Sequence, residues 1–433
     1  MAINKLQKTG LQNTWFFLED KNNSRKFLKT IRHFISSTKQ QFDATAKYKA
    51  AKKAGKAGEA LPDELMGGLF ISAEGYTHLG FDPDQFDDTD QTFRKGMKSQ
   101  KSGVFDKLLD KNNKDPKVST WEQGFQVPIH VMIMLSCDKE QTLAPVLLQV
   151  KQFAKGFADI VTEQHGKVLR EGNNPENKPL EHFGYRDGIS QPLFLQEDAD
   201  HDLNTSDWDP SAELALVLTS DPFTKDIPDS YGSFFVFRKL KQNVEAFNKA
   251  IGVLSDTLGV NPDLAGAMVV GRFKDGTPLT LNDNPDSEIN QNNFNYDKDE
   301  DGDKCPRHAH IRKVNPRGTT PFTSLENEKL RRIARRGIPY GEWGAADVGL
   351  LFMCYQADIA QQFEFIQRTW ADNPNFPRNL VFPGTGDDPL IGQDFDASAE
   401  QHWPTKHGGS ERKNFSFEGF VNCRAASIFT LQA

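Results

Sequence analysis

The chain opens with short apolar and aromatic runs separated by polar stretches. Residues 14–18, Thr-Trp-Phe-Phe-Leu, suit a strand. In residues 24–35, Phe27, Leu28, Ile31, Phe34 and Ile35 fall on one face at helical spacing and predict an amphipathic helix. Residues 67–72 predict a second strand, and residues 127–135 a buried one with Pro128 at its entry. A helix is expected over 143–157. Between the first helix and the second strand, residues 44–60 are rich in alanine and lysine and carry almost no apolar stripe. They read as a solvated helix or a mobile insertion.

The second half repeats this grammar. Residues 232–238 read as a strand, 244–258 as a helix and 347–355 as another strand. Ile359, Phe363, Ile366 and Trp370 then line one helical face, and residues 425–431 close the chain as a strand. No repeat of solenoid length interrupts the pattern. The reading is an α+β protein with two similar halves. The polar stretch 197–210 is the boundary, which divides the chain into domains 1–205 and 206–433.

Composition narrows the class. A chain of 433 residues can bury two or three ordinary cores. No apolar run approaches the ~20 residues of a membrane span. The start, Met1-Ala2-Ile3-Asn4-Lys5, lacks the charged-then-apolar pattern of a signal peptide. A cytoplasmic protein with no membrane partner is therefore expected. A net charge of −8 argues against a nucleic-acid partner, which would need a basic footprint. The four cysteines lie far apart with no C-x-x-C pair, which is poor material for zinc or iron–sulfur ligation and suits a reducing compartment.

Three stretches carry candidate chemistry. In residues 184–192, Gly-Tyr-Arg-Asp-Gly-Ile-Ser-Gln-Pro, Asp187 sits between glycines. Arg-Asp-Gly alone is a turn signal. The flanking Phe183 and Ile189 suggest a buried loop, where a carboxylate needs a task. In residues 308–317, His308 and His310 stand two apart, on one side of a strand or on different sides of a helix. In residues 331–341, Arg331, Arg332, Arg335 and Arg336 precede Gly-Ile-Pro-Tyr-Gly. There, Thr323-x-x-Glu326 looks like a capping box and Gly337 like a helix stop, but the segment could equally enter a strand. A fourth stretch, Asp297 to Gly302, matches the opening D-x-D-x-D-G of a calcium loop. Its twelfth position is His308 where a bidentate glutamate is needed, so a solvated acidic loop is the preferred reading.

Together these stretches resemble dye-decolorizing peroxidases over essentially the whole chain. Residues 184–188 match that family's G-x-x-D-G motif, residues 310–317 its H-x-R-x-x-N-P-R stretch, and the segment from Arg335 its R-x-G-I-P-Y-G stretch. The resemblance implies two ferredoxin-like α+β domains with antiparallel sheets and haem b bound mainly by the C-terminal one. It implies His310 as the iron ligand, with His308 a neighbour. It implies Asp187 as the residue that moves peroxide's proton and Arg335 as the group that steadies developing negative charge. Gly188, Ile189 and Ser190 would border the haem, Arg312 would suit a propionate, and Glu364 is the candidate acceptor for the second ring N–H of His310. The partners implied are hydrogen peroxide and phenolic or bulky dye reductants, and the family leaves room for a homo-oligomer. Tyr340 and Trp343, just beyond Arg335, are candidates for a radical path to the surface, against the plainer reading of packing residues. The rivals are a haem store or carrier, which needs His310 but not Asp187 with Arg335, an enzyme acting on haem itself, and a non-haem enzyme using Asp187 as a base.

Overall fold

A computed structural model describes residues 10–432 apart from 54–64, 88, 99–114, 174–176, 201–204, 225, 228–229, 290, 321–322, 378–384 and 394–400. The first half runs β1 (Gly10–Leu18), α1 (Lys21–Ile31), β2 (Met66–Ile71), β3 (Val131–Cys137), α2 (Glu140–Ala154) and β4 (Ala158–Lys167). The second runs β5 (Tyr231–Gln242), α3 (Val244–Leu258), α4 (Pro262–Val270), α5 (His310–Val314), β6 (Ile338–Tyr340), β7 (Gly349–Gln356), α6 (Phe363–Phe365), continued by a π-helical turn over Ile366–Ala371, and β8 (Val421–Gln432). All the neighbouring strands pair antiparallel, in the order β6-β7-β5-β8-β2-β3-β1-β4. Each half is therefore a four-stranded unit with its first strand central, which is the ferredoxin-like arrangement twice over. The halves join through β8 and β2 at Thr430 and Leu431.

Period-two alternation separates two cores. Trp15 of β1 and Met132 of β3 face the large core shared by both halves, while Phe16, Val131 and Ile133 face α1 and α2. Trp15 packs edge-on against Phe237 of β5 at 4.7 Å and Phe125 at 5.0 Å, so one indole ties the two halves. At the ends of the order, Gly166 of β4 lies against Ile338 of β6, where an added Cβ would overlap the isoleucine. The sheet thus curls toward closure.

Local sequence explains several helix boundaries. The α1 helix begins at Asp20, whose carboxylate accepts from Asn22 and Asn23 N–H, and α3 begins at Asn243, whose side-chain oxygen accepts from Ala246 N–H. Gly259 ends α3 in the left-handed conformation. The segment expected to be a solvated helix or insertion is helical over Thr38–Lys53, and the rest of it lies outside the described residues. Part of the expected boundary at 197–210 also lies outside them. Among the described residues no helix is long and apolar enough to cross a membrane.

Candidate active site

His310 opens the short helix α5, and its side chain is about one-fifth exposed. Its Nδ1 lies 2.9 and 3.2 Å from the two carboxylate oxygens of Asp388, which is fully buried. Asp388 also accepts the backbone N–H of Leu390 and Ile391 at 2.8 and 3.0 Å. Burial alone would raise this carboxyl. The His310 ring and the two N–H donors outweigh it and hold the group below its ordinary range. Asp388 therefore stays charged, and it fixes the imidazole with Nε2 turned away from the pair. Nε2 has no hydrogen bond among the described residues.

This placement corrects two expectations. Glu364 does not meet His310. It is buried on α6 and ion-paired with Arg368 one helical turn on. The acceptor is Asp388, which the sequence reading missed because Gly-Asp-Asp-Pro reads as a plain turn. Arg312 does not face a ligand either. On a helix, residues two apart point to different sides, and Arg312 is fully buried. It donates to Asp299 Oδ2 at 3.0 Å and to the carbonyls of Asp299 and Cys305 at 2.7 Å. The expected solvated acidic loop is thus only partly solvated: Asp299 is a buried anchor for α5, while Asp297, Glu300 and Asp301 are exposed. Among the described residues no cluster of three or more His, Cys, Asp or Glu could hold a metal ion. His308 is buried with its ring edge-on to Trp403 at 4.2 Å, and burial first, then nearby cations, keeps it neutral.

The loop around Asp187 is assembled by different forces. Glu181 accepts the N–H of Phe183 at 3.0 Å and of Tyr185 at 2.9 Å, which folds the turn. Asp187 is half-buried. Its Oδ1 accepts the N–H of Gly188 at 2.7 Å, and its Oδ2 has no partner among the described residues. Burial raises its pKa, and Arg335 and the Gly188 N–H pull it partly back. Ser190 adopts a φ of +62°, an uncommon conformation for a residue with a Cβ, and turns the chain so that consecutive carbonyls converge. Arg335 donates to both of them, Ile189 O at 3.1 Å and Ser190 O at 2.9 Å, while its backbone N–H donates to Gln191.

The other arginines are occupied elsewhere. Arg331 binds Gln361, Arg332 binds the carbonyls of Lys329, Pro210 and Ser211, and Arg336 binds the carbonyl of Arg335. The segment is strand at Ala334–Arg335, pairing with Tyr355 and Cys354 of β7. The helix before it, Leu325–Lys329, is capped by Ser324 rather than Thr323.

A turn after α4 brings the two halves of the site together. Gly271, at φ +93°, lies so close to Ile311 of α5 that a Cβ would overlap it, and Gly276, at φ +99°, crowds Ile189 in the same way. One side of this turn thus seats the helix of His310 and the other seats the Asp187 loop. Arg186 N–H adds a bond to Lys274 O at 3.0 Å. On β7, Leu350 and Phe352 stay partly exposed, although the strand is flanked by others on both edges. Phe352 faces Phe363 of α6 at 6.1 Å.

These residues fit a haem. An imidazole oriented by a buried carboxylate is the donor set of an iron ligand, and partly exposed apolar side chains on a strand suit a flat apolar ring. A carboxylate on a loop and a strand guanidinium braced on that loop's carbonyls add acid–base and charge-stabilising groups. Two ferredoxin-like halves with such a site define a haem-dependent oxidoreductase.

Comparison with known proteins agrees. The family described as Dyp-type peroxidase, C-terminal, matches residues 204–376, and the DyP dimeric alpha+beta barrel domain matches residues 3–170. The chain is 38% identical over 399 residues to the multifunctional dye peroxidase DyP2 of Amycolatopsis sp., covering 86% of this chain and 80% of that protein. It is 34% identical over 310 residues to a dye-decolorizing peroxidase of Auricularia auricula-judae, covering 64% of this chain and 58% of that one. The solved structure of a DyP-type peroxidase from Anabaena sp. matches with a TM-score of 0.87 at 34% identity, over 98% of this chain and 90% of that one. That of the Amycolatopsis protein matches at 0.88 and 34%, over 99% and 92%. The chain belongs to the dye-decolorizing peroxidase family and is a haem peroxidase.

Proposed function

We propose that this chain binds haem b through His310 Nε2 and uses hydrogen peroxide to oxidise phenolic compounds and bulky dyes. The observation that carries the reading is the His310–Asp388 pair, which orients the ring and leaves one nitrogen for iron. When bound, the haem would supply the redox-active iron that peroxide oxidation of a reductant requires. Asp187 does the proton work. Its Oδ2 takes the proton from one peroxide oxygen and returns it to the other, which can then leave as water, while the two electrons that this cleavage consumes would come from the haem when bound. Arg335, braced on the carbonyls of Ile189 and Ser190, holds a permanent positive charge beside this step. Gly188, Ile189 and Ser190 form the backbone of that side, while Arg312 and Glu364 support the fold instead. The domain division at 205/206 remains part of this proposal.

Large dyes need a route that does not pass through the site. Trp343 is 59% exposed and stacks on His182 at 6.2 Å, and His182 Nε2 bonds Tyr340 O at 2.8 Å. His182 lies in the loop that leads to Asp187. Trp343 is proposed as the surface donor, with buried Tyr340 behind it. The test is a pyridine haemochrome spectrum of one sample and, on native haem-loaded protein, the absorbance change with stoichiometric peroxide. A haem b spectrum and prompt bleaching of an anthraquinone dye support the reading. A protein that takes up haem yet shows no change with peroxide would leave a carrier and exclude a peroxidase.

A further inference from the structure

We infer that Lys313 is a positioning residue that sets the His310–Asp388 hydrogen bond, an inference that rests on His310 being the haem ligand. Lys313 and His310 stand three apart on α5 and so share a face. Both reach the same loop. His310 meets it at Asp388, and Lys313, fully buried, donates from Nζ to Gly386 O at 2.6 Å and to Asn373 O at 2.9 Å.

Those two carbonyls belong to the two segments that seat Asp388. The loop carrying it is laced to the end of the π-helical turn by Thr385 N–H and Gly386 N–H to Pro374 O, at 2.7 and 3.0 Å, and by Asp388 N–H to Ala371 O at 2.9 Å. Lys313 bridges both segments from the helix side, so α5 is fastened to the loop at two points. A single attachment through His310 would let the carboxylate swing about it. Two attachments fix both its distance and its direction. An ammonium with three donors can serve two carbonyls that diverge, where an apolar side chain would leave them without the donor that burial demands.

The consequence reaches the haem through Asp388. A firm hydrogen bond to the carboxylate makes the imidazole a stronger donor to iron. Loosening it weakens that donation, lowers the iron–histidine stretching frequency and raises the reduction potential of the bound haem. Lys313→Met keeps the length of the side chain and removes the donor. Lys313→Gln keeps one donor group, folds more readily, and is expected to shift less.

The test uses haem-loaded protein, with the iron–histidine stretch of the ferrous form read by resonance Raman and the potential by reductive titration. Lys313→Met and Lys313→Gln should shift both in the direction of Asp388→Asn but by less. In the Asp388→Asn background, Lys313→Met should add no further shift, because it acts through that carboxylate. Where the methionine variant yields no folded protein, the glutamine variant decides alone. Unmoved values in the Lys313 variants beside a shifted Asp388→Asn would overturn the inference. Unmoved values in Asp388→Asn as well would instead overturn the assignment of His310 on which it rests.

Discussion

Nδ1 of His310 lies 2.9 Å from Oδ2 of Asp388, a buried carboxylate 78 residues further along the chain. Asp388 reaches that position because Leu390 and Ile391 N–H hold its other oxygen. Asp388→Asn keeps the shape and removes the charge, so the ring loses its anionic partner. The expected result is a ferrous iron–histidine stretch at lower frequency and a higher haem potential. Glu364→Gln, by contrast, should leave both unchanged, since Glu364 pairs with Arg368. A shift with Glu364→Gln and none with Asp388→Asn would refute the assignment.

The roles of Asp187 and Arg335 should separate from haem binding. Asp187→Asn and Arg335→Leu are expected to retain haem and to slow the reaction with peroxide, by ~10²–10⁴-fold for the base and ~10²–10³-fold for the arginine. Because burial raises the Asp187 carboxyl, its basic form is lost as pH falls through a value above the ordinary 3.8. Arg335→Leu removes a charge that pulls the group down, so the inflection should move further up. Stopped-flow absorbance across pH reads both effects. Wild-type rates in both variants would remove these residues from the mechanism.

Surface oxidation should be separable as well. In Trp343→Phe, oxidation of a bulky anthraquinone dye is expected to fall while the reaction with peroxide keeps its wild-type rate. Tyr340→Phe tests whether the path continues inward. Equal losses in both steps would make the ring a support of the pocket, and no loss in either variant would place the electron path elsewhere.

Glu181 gives stability a pH dependence of definite sign. Burial, with the nearby Asp187 adding to it, pushes its carboxyl up to about 7 against the donors from Phe183, Tyr185 and Gln242. A folded-state pKa above the unfolded one means that the native state holds this proton more tightly. Its contribution is full below the ordinary value of 4.5 and is lost as pH rises to about 7. Urea midpoints should show that decline, and Glu181→Gln should flatten it. An undiminished slope in the variant would assign the effect to other groups.

Strongly patterned elements were legible in the sequence, and the rest was hidden for identifiable reasons. The helix Val244–Leu258 was readable to the residue because one apolar face is bounded by an Asn cap and a Gly stop. The edge strand Ala158–Lys167 was missed because its residues are mostly polar and no apolar run marks it. The helix Pro262–Val270 was missed for the opposite cause, since it is buried nearly all round and shows no amphipathic period. In the site, the resemblance of three motifs to the family's is what proposes Asp187, His310 and Arg335. Arg312 was misplaced because a sequence does not show which way α5 turns its third residue, and Glu364 because its nearer partner Arg368 takes the carboxylate one helical turn on. Asp388 was invisible because its partner is distant in the chain and its own neighbourhood reads as a turn.

The most direct measurement is the optical spectrum of haem-loaded His310→Ala beside that of His308→Ala. His310 has an open Nε2 and an oriented ring, whereas His308 is packed against Trp403 and held neutral. His308→Ala should keep the Soret band of a histidine-ligated five-coordinate haem. His310→Ala should lose most of its haem, and added imidazole should restore the band. Loss of the band in His308→Ala, with a normal five-coordinate spectrum in His310→Ala, would contradict the assignment of the iron ligand and with it the site built around it.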